Sequence, residues 1–170
     1  LAWEGVKVKA LNTVSTVRHP ELSVLSSQPY MGGAEVAVES LPPLQLLLFW
    51  FNHHLEMAAH SERRLEGFGA DLSDGVLYLV LVSELSPHLK NTEEEQRSEK
   101  ERALSFVALS SRQRVSHALE IMREMGINGN FSVDSILNGS ERVNTVLCSR
   151  LMDLCSGLRA KSPTPEEKEI

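Results

Sequence analysis

The run Leu46-Leu47-Leu48-Phe49-Trp50-Phe51-Asn52-His53-His54-Leu55 limits what this chain can fold into more than any other segment. Placed on a helix, Leu47, Leu48, Trp50, Phe51, Leu55 and Ala58 cover an arc wider than a surface helix needs. The spacing predicts a helix from Pro43 to Ala59 at the centre of a core, with Trp50 a core residue. Pro42 or Pro43 suits its first turn, where a missing N–H costs nothing. The purely apolar stretch, Leu46 to Phe51, falls far short of the roughly 20 residues that cross a bilayer.

The remaining elements are also helical. Glycines at Gly67 and Gly69 mark a loop before a helix nucleated near Ser73, with Asp74 favourable at its positive end; it runs to about Leu85 before Pro87 stops it. Thr92 followed by Glu95 is a capping-box pattern opening a segment over 91–111. Its front, Glu93-Glu94-Glu95-Gln96-Arg97, is polar and solvated, leaving Ala103, Leu104, Phe106, Val107 and Leu109 to dock. Ser110 or Ser111 caps the next helix, which carries Val115, Ala118, Leu119, Ile121 and Met122 and ends at Gly126. Ser132 opens a single turn through Ile136-Leu137. A last helix runs from about Glu141 to Leu158 with Val143, Val146, Leu147, Leu151 and Leu154 inward. The periodicity is that of an all-α bundle of about five to six helices.

The ends differ in character. Residues 1–12 fit helix and strand alike, because Val6-Lys7-Val8-Lys9 also alternates. Residues 13–40 are rich in Ser, Thr, Gly and Pro, with Pro20, Pro29 and Gly32-Gly33 as breakers; they read as a linker in which His19-Pro20-Glu21-Leu22 through Leu25 starts a short helical turn. Residues 159–170 are polar, hold Pro163 and Pro165, and read as a disordered tail. Ser162-Pro163 and Thr164-Pro165 fit proline-directed phosphorylation, with an inert tail the plainer reading. Leu1 is not an initiator methionine and no basic-then-apolar leader follows it, so the chain reads as a piece of a longer one.

A net charge of −6 argues against nucleic acid as a partner, since displacing counterions from phosphates takes a basic field. An acidic filament could be bound only through a local, shape-specific patch. The cysteines, Cys148 and Cys155, lie seven apart on one expected helix, about 10 Å in rise and beyond disulfide reach. They read as reduced packing residues of a cytosolic protein.

Catalytic and metal signatures are weak. Among His53, His54, Glu56 and His60 only pairs three or four apart share a helix face, so a solvated face is expected and no metal or cofactor. Asp71, Asp74 and Gly75 lack the 12-residue ligand spacing of a calcium loop and read as a turn and cap. No Gly-x-Ser-x-Gly turn or phosphate-binding glycine loop occurs, and an enzyme is not expected. The basic pairs Lys7 and Lys9, Arg63 and Arg64, and Arg112 and Arg114 serve solubility as readily as contact.

Leu47-Leu48-Phe49-Trp50-Phe51-Asn52, then Phe68, Asp71, Asp74, Tyr78, Leu81, Leu85 and Pro87, then Arg114 through Met125-Gly126, and finally Ile136, Gly139, Ser140 and Asn144 keep the register of one family. In this register the chain resembles a calponin-homology domain, in particular the second of four in the fimbrin/plastin actin cross-linkers. Leu1-x-Trp3 with Val6-Lys7-Val8 looks like the last helix of a preceding domain, and His19-Pro20-Glu21-Leu22 resembles the family's linker. The resemblance thus implies helix for residues 1–12, a linker over 13–40 and the domain over 41–158. Phe49 stands where the family has arginine, Ser135 where it has aspartate and Thr145 where it has leucine. Extra charged residues lie between Pro87 and Arg114.

What the resemblance implies is a calponin-homology fold in a cytoplasmic, cytoskeletal protein that bundles actin. Its partners would be actin filaments and the preceding calponin-homology domain of the same chain, with no nucleic acid and no membrane. The expected surface is the first helix of the domain, through Gln45, Phe49, Asn52, His53 and Glu56, with Phe49 either an exposed anchor or buried against residues 1–11. The alternative is a scaffold module of the same fold that docks microtubules or another protein.

Overall fold

In the computed structural model, which describes residues 9, 11–27, 37–58 and 63–158, the apolar run forms helix α1 (Pro43–Met57). Pro43 sits in its first turn. Leu46, Leu47, Phe49, Trp50, Phe51, Asn52, His54 and Leu55 are all buried, so the helix is enclosed on nearly every side. Each large apolar side chain so enclosed contributes about 1.5–3 kcal/mol relative to exposure. The central position expected of this helix follows from its wide apolar arc.

Helix α2 (Val76–Leu85) packs against α1 and is buried along almost its whole length. Its start is fixed by Asp74, whose carboxylate accepts the Val76 N–H at 3.0 Å, and by Gly75 in a left-handed conformation at φ +80°. A Cβ at Gly75 would stand 2.8 Å from Arg114 Cβ and 2.9 Å from Val115 N. The start of α2 can therefore approach the Arg114–Val115 backbone this closely only across a glycine.

Helix α3 (Glu93–Ser105) is capped by Thr92, whose hydroxyl accepts the Glu95 N–H at 3.1 Å. Only Ala103 of this helix is buried, so polar ties hold much of it down. Ser86 donates to Glu99 at 2.7 Å, and Arg102 forks onto Glu124 at 2.6 and 3.0 Å. The helix expected over 91–111 stops early. A 3-10 turn, Phe106–Ala108, follows, and Leu109 is extended. The Arg114 guanidinium donates to the carbonyls of Val107 and Leu109 left open by that break, and to Asp74 O at 2.6 Å.

Helix α4 (Ser111–Met125) begins at a full capping box between Ser110 and Gln113 and ends at Gly126. Ser132 caps the short α5 (Val133–Leu137), and Ser140 caps α6 (Glu141–Leu154). No strand occurs among the described residues, and the fold is all-α. Asn144 on α6 joins three elements: it accepts from Tyr78 Oη at 2.6 Å and donates to the Phe68 carbonyl at 2.7 Å. The next residue, Thr145, is fully buried and its hydroxyl has no hydrogen-bond partner.

Two further findings differ from the sequence reading. Helix α6 ends at Leu154, not Leu158, because the chain turns back to deliver the Ser156 carbonyl to α1. The segment read as linker contributes Val14, Leu22, Leu25 and Val38 to the core, beside Leu11 just before it, with Leu22 and Leu25 at 0% exposure. Its helical turn runs further than expected, as a 3-10 helix over Pro20–Ser27 that packs on α1. Composition marks such a segment as polar, but two leucines three residues apart are enough to anchor one turn. Residues 1–8, Gly32-Gly33, Ala59, His60 and the tail 159–170 fall outside the described residues, and with them the expectations placed there.

Candidate binding surface

The five residues expected to form a surface on α1 divide into two groups. Gln45 and Glu56 are exposed and His53 is half-buried. Phe49 and Asn52 lie on the same arc of the helix yet are each only 4% exposed. Phe49 is therefore a core side chain, not an exposed anchor: this arc is roofed by other parts of the chain. At a position where the family resemblance has arginine, an aromatic ring that cannot reach solvent stabilises by burial instead.

Asn52 has a structural task. Its Nδ2 donates to the Leu65 carbonyl at 2.9 Å and its Oδ1 accepts the Leu65 N–H at 2.7 Å. One side-chain amide thus satisfies both backbone groups of a buried residue, as a strand partner would. This pins the loop after α1 and carries it toward α2. What remains accessible on α1 is its two ends: Pro42, Pro43 and Gln45 at one, and His53, Glu56 and Met57 at the other. Eleven residues of helix separate Gln45 from Glu56, about 16 Å. Met57, 63% exposed, was not marked by the sequence, and its position beside Glu56, off the apolar arc, was the available signal.

Histidines 53 and 54 point to different surroundings, as adjacent helical residues must. Burial lowers the pKa of His53, opposed by the Glu56 carboxylate. Deeper burial pushes His54 down to about 4. Its ring stands edge-on to Trp50 at 5.3 Å, and both His54 Nε2 and Trp50 Nε1 lie 2.7 Å from the Ser156 carbonyl, so both donate to it. This fixes His54 as a neutral ring protonated at Nε2 and fastens the end of the domain onto α1. Gly157, at φ +67°, lets the backbone pass: a Cβ there would stand 2.7 Å from His54 Cε1 and 2.8 Å from Leu85 Cδ2.

The other sites weighed from sequence are structural. Asp71 accepts the Glu66 N–H at 2.9 Å, and Asp74 pairs with Arg63 at 2.8 Å while capping α2. No group of three or more metal-ligating side chains occurs among the described residues. Burial pushes the Cys148 thiol up to about 12, opposed by its contact with the Tyr78 hydroxyl, and both cysteines are free.

Residues 41–157 match the calponin homology (CH) domain family. Fimbrin of Dictyostelium discoideum is 28% identical over 153 residues, covering 90% of this chain and 23% of that protein. Fimbrin of Saccharomyces cerevisiae is 26% identical, covering 99% of this chain and 24% of that one. The chain thus spans about a quarter of the length of these relatives. The crystal structure of the actin-crosslinking core of Schizosaccharomyces pombe fimbrin superimposes with a TM-score of 0.61 at 22% identity, over 92% of this chain and 27% of that one. With the family model spanning the helices from α1 to α6, the chain belongs to the calponin homology domain family, with fimbrins among its relatives.

Proposed function

We propose that this chain is a non-catalytic binding module that contributes to actin-filament binding within a tandem, fimbrin-like cross-linking protein of the cytoplasmic cytoskeleton. The observation that carries the reading is the extent of the likeness: the fimbrin relatives align over 90% and 99% of the chain, through the segment before the CH domain as well as the domain itself. A filament contact on a chain of net charge −6 has to be local. The accessible ends of α1 supply such a contact, through Gln45 at one end and His53, Glu56 and Met57 at the other. Phe49 and Asn52 act beneath it by holding the helix in place.

Co-sedimentation with actin filaments and, in parallel, with microtubules tests this. The probes are the 170-residue chain and a form extended N-terminally by the preceding part of its parent protein. Pelleting of the extended form with actin alone is the expected result. Reversing charge at Glu56 and introducing it at Gln45 is expected to weaken that pelleting several-fold without changing the melting temperature. Failure with actin at low salt overturns the proposal, and pelleting with microtubules favours the scaffold alternative.

A further inference from the structure

A histidine in the segment before the domain is held in an unusual way. His19 lies with Nδ1 3.1 Å from Glu21 Oε1 and Nε2 2.9 Å from Asp153 Oδ1, and its side chain is only 13% exposed. A neutral imidazole has one N–H and one lone pair, so it can donate to one of these carboxylates but must turn its lone pair on the other. Only the imidazolium donates to both. Asp153 occupies the last turn of α6, where the open carbonyls make a negative end that favours a cation nearby and disfavours a carboxylate left alone. One group opposes the extra proton: Arg18, whose Nε donates to the same Asp153 oxygen at 3.1 Å. The charged groups facing His19 among the described residues are thus Glu21 and Arg18 from its own segment and Asp153 from α6.

We propose that His19 is a proton-dependent clasp between this N-terminal segment and α6. In the imidazolium form it ties the segment to the end of the domain. When the proton leaves, the bond to one carboxylate becomes a repulsion, and the approach to the domain through residues 11–19 loosens. Leu22 and Leu25, buried in the core, hold the following turn in place in both forms. The device therefore changes the path by which the chain enters the domain and leaves the domain folded.

The experiment is nitrogen-detected NMR of the His19 ring in the 170-residue chain across pH 5.5–8.5, with amide hydrogen exchange at His19 and Leu22 corrected for intrinsic rates. These amides donate to the Ser15 and His19 carbonyls respectively, at 2.9 and 3.0 Å. The expected result is a ring protonated at both nitrogens at the acid end. Protection of the His19 amide falls on the order of tenfold toward the alkaline end, the scale of one charge-assisted hydrogen bond. Leu22 keeps its protection throughout. His19→Gln, which keeps a donor but cannot titrate, is expected to show a flat profile. A ring carrying one proton at pH 5.5, or His19 protection that does not change with pH in the unaltered chain, overturns the proposal, and neither reading depends on the variant folding.

Discussion

Replacing Asn52 by alanine separates a surface residue from a structural one. The substitution removes two hydrogen bonds, of 2.7 and 2.9 Å, to a residue that is fully buried. Each bond is worth about 1 kcal/mol net, and each backbone group of Leu65 left without a partner costs about 1–3 kcal/mol of desolvation. The bonds and the orphaned groups are two accounts of one loss, so they are not summed. Water entering the space left by the amide lowers the cost further. The expected destabilisation is about 3 kcal/mol, which for a domain of this size lowers the melting temperature by roughly 6–12 °C. Thermal and urea unfolding of the whole chain measure it, with filament pelleting run at a temperature where both forms are folded. A destabilisation under about 1 kcal/mol together with lost pelleting would refute the reasoning, because Asn52 would then be reaching the filament and not Leu65.

Three further outcomes follow from the buried polar groups and the tight backbone passage. Thr145→Val replaces a buried hydroxyl that has no partner by a methyl group of the same shape, and is expected to stabilise the chain by about 1 kcal/mol in urea unfolding; a loss of that size would show that the hydroxyl is bonded. Gly157→Ala puts a Cβ against His54 and Leu85 at a left-handed φ, and is expected to cost about 1–3 kcal/mol and to raise the solvent exposure of Trp50, read by its fluorescence. His54 is held at about 4 when folded, below its ordinary 6.5, so the unfolded chain takes up a proton that the folded site refuses. Its contribution is therefore complete above pH 6.5 and is lost as pH falls toward 4, with a slope of up to about 1.4 kcal/mol per pH unit. Urea midpoints at pH 7, 6 and 5 are expected to fall less steeply in His54→Gln than in the unaltered chain, and equal slopes would count against a buried neutral ring.

The fold was legible where local signals agree with one another. The arc of Leu47, Trp50, Phe51 and Leu55 puts α1 in the core, and Thr92, Ser110, Ser132 and the turn at Asp74 start their helices as their side chains dictate. The binding surface was less legible. Polarity marked Asn52 as an outward residue, and the missing arginine left Phe49 open between an exposed anchor and a buried ring. A sequence shows that a side chain can hydrogen-bond or bury area, but not which backbone will come to meet it. The same holds for the 13–40 segment, whose serines and prolines spoke for a linker while Leu22 and Leu25 seated it in the core.

By itself, then, the sequence determined what depends on neighbours within a turn or two of chain: the all-α class, the helix starts, the central place of α1 and the register shared with one family. Tertiary structure decided what depends on groups far apart in the chain. Leu65 meets Asn52 across a loop, and Ser156 meets Trp50 and His54 across about a hundred residues, separations of 106 and 102. Asp153 meets His19 across 134. Helical periodicity fixes which face a residue occupies, but burial on that face is set by whatever the rest of the chain lays over it.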